Sequence, residues 1–349
     1  MNALSERIAG LIRANGPLTV AQYMTMALHD PQYGYYATRD PLGAAGDFIT
    51  APEITQCFGE LLGLWAAQCW HDQGKPSSAR LVELGPGRGS LMRDALRAAR
   101  LMPEFRAALD VVMVESNPVL KAAQQSALAD CGVAVTWRGA FDTADADRPL
   151  FLLANEFFDA PPIRQFVKTA RGWCERMVTL DAAGALAFAL SPDVAPLMVP
   201  QRGPAALGAV YETCPAATAI VEEIARAVAG KGGAALIVDY GYGATAGYGE
   251  TLQALKDQAF AGLLDSPGDA DLSAHVDFAA LAEAAREGGA VAYGPMDQGA
   301  FLVNLGLVQR ATRLRQFDAL DRLTKPEEMG TLFQALAILP AKTPAPPGF

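Results

Sequence analysis

The stretch LVELGPGRGS, Leu81 to Ser90, sets an acid and three glycines at the end of an apolar run. Gly85 and Gly87 let a backbone approach a ligand where any side chain would obstruct it, and Gly89 lets the following helix pack close to the strand. The spacing is G-x-G-x-G, whereas a dinucleotide turn wants G-x-G-x-x-G. Pro86 has no N–H to offer a pyrophosphate. Glu83 would repel a pyrophosphate, yet it suits the positive amino and sulfonium groups of S-adenosylmethionine. Glu115 ends the next apolar run, with Ser116 behind it, and a carboxylate there can accept both hydroxyls of a ribose. Together these residues favour a methyl donor. A nicotinamide cofactor, or a turn that serves only helix–strand packing, are the alternatives. Further on, Phe141 and Asp142 offer a ring for an adenine and an acceptor for its amino group, or equally a core Phe and a capping Asp.

A second acidic turn, LLANEFFDAPP, places Asn155, Glu156 and Asp159 beyond another apolar run. Methyl transfer asks an enzyme mainly to hold the acceptor in line with the donor and to manage a proton. Two carboxylates three residues apart can fork a guanidinium, aim its nitrogen and help take its proton. The structural alternative is that Asp159 caps a helix or holds the APP turn.

These residues need elements that bring the ends of apolar runs together. RLVELG, DVVMVES, VAVTWRG and PLFLLANE read as strands, separated by helices SLMRDALRAAR and PVLKAAQQSALAD. Continuous apolar strands alternating with helices predict a parallel sheet covered on both faces, doubly wound, with ligands beyond the carboxyl ends of its strands. Two helices precede it, one over residues 3–14 and one from Thr19 to His29, and a third spans residues 53–70, with a match of Thr50 and Glu53 to a capping box. Residues 1–78 thus form a helical N-terminal cover with a Gly-, Pro- and Tyr-rich loop, and residues 79–349 the core. Two insertions interrupt that core. The first, about 163–214, alternates with period two and turns near Asp181–Gly184, which predicts antiparallel β structure. The second, about 241–276, shows no strong strand. GGAALIVDYG and two late strands, AVAYGPM and TLFQALAIL, complete the sheet, and the tail AKTPAPPGF is expected to fray.

The chain has 349 residues and a formal charge of −10, which speaks against phosphate tracking on nucleic acid and is compatible with a cationic substrate. Its five scattered cysteines include no C-x-x-C, so neither a disulfide framework nor a metal site is supported. No apolar run is long enough to span a bilayer, and the first residues read as neither a secretory signal nor an Arg-rich transit peptide. The expectation is a cytoplasmic, bacterial protein.

From Tyr23 to Ile338 the chain resembles the MidA-type S-adenosylmethionine-dependent methyltransferases, bacterial relatives of a mitochondrial complex I assembly factor that dimethylates an arginine. The resemblance is carried by DPQYGYY, GDFITAPEITQCFGELLGLW, ELGPGRGSLMRDAL, NEFFDAPPIRQF, IVDYGYG, PGDADLSAHVDF, QGAFLVNLG and TLFQALAI. It implies a Rossmann-like class I methyltransferase fold and donor ligands at Gly85, Gly87, Gly89 and Glu115. It implies that Asp47, Phe48, Thr50 and Glu53 form a lid near the active site, joined by Tyr240. One departure is Gln258, where the family leads one to expect a His; His275 is another proton-handling candidate. The implied activity is protein-arginine N-methylation, with a NADH dehydrogenase subunit as partner and a homodimer as a further expectation. A methyltransferase of another protein or small molecule, and a non-catalytic assembly chaperone that keeps the donor site, are the rivals.

Overall fold

The computed structural model describes residues 2–38, 50–142, 147–196, 203–243 and 248–349. The chain divides into two compact units. One comprises residues 1–48, 159–217 and 244–275, the other residues 49–158, 218–243 and 276–349. The segment anticipated as an N-terminal cover is therefore shared between the units at 48/49, and the two anticipated insertions fall largely with the first helices.

In the larger unit the sheet runs, in spatial order, Val291–Asp297, Phe333–Leu339, Gly233–Tyr242, Leu150–Asn155, Ala79–Leu84, Leu109–Val114 and Val135–Arg138. The last five are parallel, and Phe333–Leu339 lies antiparallel to Gly233–Tyr242. Every residue of Leu150–Asn155 is buried, which is why LFLLAN lacks alternation: a central parallel strand meets apolar matter on both faces. The chain leaves Ala79–Leu84 towards one edge and returns to its other side with Leu150–Asn155. This is the switch point where such sheets open a crevice at the carboxyl ends of their strands.

Helices Gln56–Asp72 and Ser90–Ala98 cover one face around Phe58, Trp65, Trp70, Phe105 and Phe151. A Cβ on Gly63 would come within 2.5 Å of the Ala95 backbone, so the glycine lets these helices touch. The single helix expected over 53–70 is instead two, Ala51–Ile54 and Gln56–Asp72. Thr55 between them is extended, and its hydroxyl caps the longer helix by accepting from the Cys57 N–H at 3.1 Å. The tail does not fray: Phe349 packs on Phe301 with ring centroids 5.1 Å apart, and the Gly348 carbonyl accepts from Asn304 Nδ2 at 3.0 Å. Packing a half-buried terminal aromatic ring on the core outweighs the entropy that usually frees a Pro-rich end.

In the smaller unit, helix Ala3–Asn15 is capped by Asn2, and helix Val20–His29 by a reciprocal Thr19–Gln22 box. Leu4, Ile8, Tyr23 and Met24 from these helices share a core with Ile163, Val178 and Leu272. The anticipated antiparallel region is a five-stranded sheet built on Gly172–Leu180, which pairs with Leu18–Thr19, Arg164–Thr169 and Leu186–Val194; Val210–Thr213 joins on the far side of Arg164–Thr169. Its hairpin turns where expected, with Asp181 Oδ1 accepting from the N–H groups of Ala183 and Ala185. The second insertion does contain strands. Gln253–Lys256 pairs with Ala259–Ala261 and Asp271–Ser273. Three- and four-residue strands are too short to show a period, and pairing rather than pattern creates them. No helix of the described residues is long and apolar enough to cross a membrane.

Candidate functional site

Strand register fixes the level of the site. Leu84 stands beside Val114 and Ala154, and Asn155 beside Val238. The residues just beyond, Gly85, Glu115, Glu156 and Asp239, therefore emerge along one carboxyl edge of the larger unit.

The three glycines of the turn are left-handed, with φ of +57°, +53° and +83° at Gly85, Gly87 and Gly89. Only glycine takes such angles without strain. A Cβ on Gly85 would also stand 2.8 Å from a ring carbon of Phe157. Gly89 starts helix Ser90–Ala98 without a side-chain cap, and the Glu83 carboxyl fills that role by accepting the Met92 N–H. Its other oxygen, Oε2, is buried without a hydrogen-bond partner. Burial pushes Glu83 well above the ordinary carboxylate range, with the Glu115 charge adding to the rise and the Met92 bond opposing it.

Glu115 is held from both sides. Its Oε1 accepts from the Asn117 N–H at 2.7 Å and its Oε2 from Gln124 Nε2 at 3.1 Å. Burial raises its pKa against those bonds and one from the Ser116 N–H. Ser116 itself is exposed. Gln124 escaped the sequence reading. It is fully buried on helix Pro118–Ala127, between Leu120 and Leu128 on the inward stripe, and a polar residue on an apolar stripe was the available signal. Phe141 and Asp142 are placed differently from the turn. They line a narrow cleft with Arg80, Val112, Arg138 and Leu150, and the Asp142 carbonyl faces an Arg138 nitrogen at 3.5 Å.

Across the edge, Glu156 has φ of +50°, a strained angle for a residue with a side chain. Its Oε1 accepts from Asn155 Nδ2 at 2.9 Å and from the Ala51 N–H at 3.1 Å. Since the Asn155 amine faces a carboxylate, its Oδ1 must point elsewhere, and that oxygen is buried without a hydrogen-bond partner. Asp239, also missed, is the anchor of this turn. It is fully buried; Oδ2 accepts the Phe157 and Phe158 N–H groups at 3.0 and 2.8 Å, and Oδ1 the Tyr240 N–H at 2.9 Å. An acid closing the apolar run ALIVDY was its signal. Tyr240 packs edge-on against Phe333.

Helix Ala51–Ile54 joins the two sides. Glu53 Oε1 accepts from the Ser90 hydroxyl at 2.6 Å, at the head of the helix behind the glycine turn. The anticipated capping box does not form: Thr50 makes no side-chain cap and Glu53 is drawn to Ser90 instead. Asp47 and Phe48 lie outside the described residues. Asp159 belongs to the smaller unit, where its carbonyl accepts the Ala274 N–H and its charge, with that of Asp271, raises the buried Tyr36 hydroxyl after burial itself. In the same unit Gln258 occupies the exposed tip of a hairpin at φ of +61°, and burial lowers His275 while Glu212 opposes the shift. Among the described residues no group of three His, Cys, Asp or Glu side chains gathers as for a metal ion.

Residues 61–296 match the family model described as "Putative S-adenosyl-L-methionine-dependent methyltransferase". A Danio rerio protein named protein arginine methyltransferase NDUFAF7, mitochondrial, is 36% identical over 372 residues, covering 97% of this chain and 87% of the relative. Its Homo sapiens namesake is 36% identical over 365 residues, covering 94% and 81%. A crystal structure from Burkholderia thailandensis, bound to S-adenosyl-homocysteine, superposes with a TM-score of 0.84 at 30% identity, covering 99% of this chain and 95% of that one.

Proposed function

The chain belongs to this family of S-adenosyl-L-methionine-dependent methyltransferases, and from that premise we propose that it methylates an arginine guanidinium of a protein. The observation that carries the acceptor is Asn155 Oδ1, a buried oxygen without a hydrogen-bond partner beside the Glu156 carboxylate. A guanidinium is all donors and no acceptor, so an orphan acceptor next to a fixed negative charge is its complement. A nucleotide base or an alcohol would also need donors.

The residues on the opposite side fit the donor. Gly85 leaves no room for a Cβ, and Glu83 keeps one buried acceptor oxygen that matches an ammonium group. Glu83, the glycine turn and Glu115 would hold S-adenosylmethionine, which when bound supplies an electrophilic methyl group on sulfur. The protein's part is position and charge. Glu156, fixed through Ala51 and Asn155, orients the guanidinium and stands ready to take the proton that the nitrogen must lose. Asp239 keeps Glu156 in its strained conformation by holding the two following amides.

The names of the relatives support arginine as acceptor, and the acid balance of the chain, −10, favours a cationic peptide. We place the acceptor on a subunit of a respiratory NADH dehydrogenase or its bacterial counterpart, following the resemblance noted above. The test is incubation with labelled donor in lysate from cells lacking the protein, followed by mass spectrometry. Label on arginine nitrogen of one protein supports the proposal, and label confined to oxygen, carbon or small molecules overturns it. The rival reading, a chaperone without activity, predicts binding of S-adenosyl-homocysteine with no label in any product.

A further inference from the structure

We propose that Gln124 is a positioning residue of the donor site, its one amide setting both the glycine turn and the ribose-binding acid. The proposal rests on the donor-site reading above and concerns a residue that touches no ligand itself.

The geometry leaves the amide no freedom. The Trp137 Nε1–H can only donate, and it meets Gln124 Oε1 at 2.9 Å. The amine must then face the other way, where it donates to the Gly87 carbonyl at 2.7 Å and to Glu115 Oε2 at 3.1 Å. Both amine protons and the oxygen are used, and the side chain is fully buried. Gly87 and Glu115 follow different strands, and both are where the donor must be met. One rigid amide on a third element therefore fixes the spacing between the turn and the acid. It also orients Glu115 from one side while the Asn117 N–H holds the other. Gly89 packs on the same residue, since a Cβ there would lie 3.4 Å from the Gln124 Cα.

Gln124→Glu is the discriminating variant, for it keeps the shape and removes one donor. The titratable groups that face it are Glu115, in direct contact, and behind it Glu83, whose proton affinity registers the Glu115 charge. While the new carboxyl is protonated it still accepts from Trp137 and donates once. When it ionises it opposes Glu115 and the Gly87 carbonyl. The affinity of Gln124→Glu for S-adenosyl-homocysteine, read by titration calorimetry, should thus fall as pH rises. In the parent protein ionisation of Glu83 and Glu115 favours the ligand's ammonium and ribose hydroxyls, so its affinity should hold or rise. Gln124→Met removes both donors and should weaken binding about tenfold or more at every pH, as expected for buried polar groups left unpaired. Melting of each variant without ligand reports the fold separately.

Opposite pH trends in parent and Gln124→Glu support the positioning role. Parallel trends, or a Gln124→Met variant that binds like the parent, overturn it. A parent protein that shows no heat with S-adenosyl-homocysteine overturns the donor-site reading itself, and this inference with it.

Discussion

Gly85 is where the proposed donor and acceptor sides meet, and Gly85→Ala measures how tightly. The residue has φ of +57°, and an added Cβ would sit 2.8 Å from the Phe157 ring. Two costs follow. The left-handed angle costs a side-chain-bearing residue about 1–2 kcal/mol. The methyl must also displace Phe157, whose ring lies edge-on to Phe158 at 5.1 Å and 89°, a contact of about 0.5–1.5 kcal/mol. The sum is about 1.5–3.5 kcal/mol, or roughly 10- to 350-fold in an equilibrium constant. Gly89→Ala is the control. Its φ is +83°, but the added Cβ would find its nearest neighbour at 3.4 Å, an ordinary contact, so only the strain of about 1–2 kcal/mol applies. Strain that persists in the turn appears as lost stability in urea unfolding, and strain relieved by moving the turn appears as lost affinity for S-adenosyl-homocysteine. The two losses should be added for each variant. The summed loss should be larger for Gly85→Ala, and only that variant should also slow methyl transfer at saturating donor, because Phe157 adjoins Glu156. Equal sums in the two variants, or unchanged turnover in Gly85→Ala, would refute Phe157 as the wall between the sites.

Three further outcomes are expected. Glu83 holds its proton more tightly in the folded state than in the unfolded one, so the native protein binds more protons above the ordinary carboxylate pKa and loses stability as pH rises through the raised value. Glu83→Gln should remove that slope in urea unfolding without ligand and weaken S-adenosyl-homocysteine most at high pH; a slope that survives would assign the proton elsewhere. Asp239→Ala leaves three backbone amides, one buried and two half-buried, without this acceptor and should lower unfolding free energy by about 1–3 kcal/mol, while Asp239→Asn, which keeps one oxygen, should lose less. Burial raises Glu60, but bonds from Arg310 and Arg97 outweigh it and hold the carboxyl below its ordinary value, so its contribution is present above that value and vanishes in acid. Arg310→Ala should therefore cost about 1.5–3 kcal/mol near neutral pH and nothing in acid, where a persisting deficit would point to lost packing instead.

The residues that sequence made legible share one property: each belongs to a local pattern. LVELGPGRGS shows its turn because three left-handed residues leave glycine as the only unstrained choice. LFLLAN shows a central strand because both its faces are buried. Gln124 and Asp239 act on partners far along the chain, Gln124 on Gly87 and Trp137, Asp239 on Phe157 and Phe158, and no spacing rule ties such positions together. Glu53 illustrates the opposite error. It matches a capping pattern with Thr50, yet the Ser90 hydroxyl competes for its carboxylate and wins. A local motif states what a side chain can do, and tertiary contacts decide whether a better partner is offered.

The contacts around the site close on themselves, and this makes a last prediction. From the glycine turn, Ser90 donates to Glu53; the helix carrying Glu53 donates through the Ala51 N–H to Glu156; the next residue, Phe157, returns to Gly85. A chain of contacts open at one end lets each side relax alone. A closed one transmits a shift at any member to the others. In-line transfer depends on the relative placement of donor and acceptor, where small errors are costly. Glu53→Gln keeps an oxygen for Ser90 and should by itself cost little. Combined with Gly85→Ala it opens the ring at two places, so the loss in kcat/KM of the double variant should depart from the sum of the single losses by about 0.5–3 kcal/mol, the range seen for residues of one connected network. Simple additivity would show that Glu53 and Phe157 act on separate walls of the site, and that the ring is a coincidence of packing.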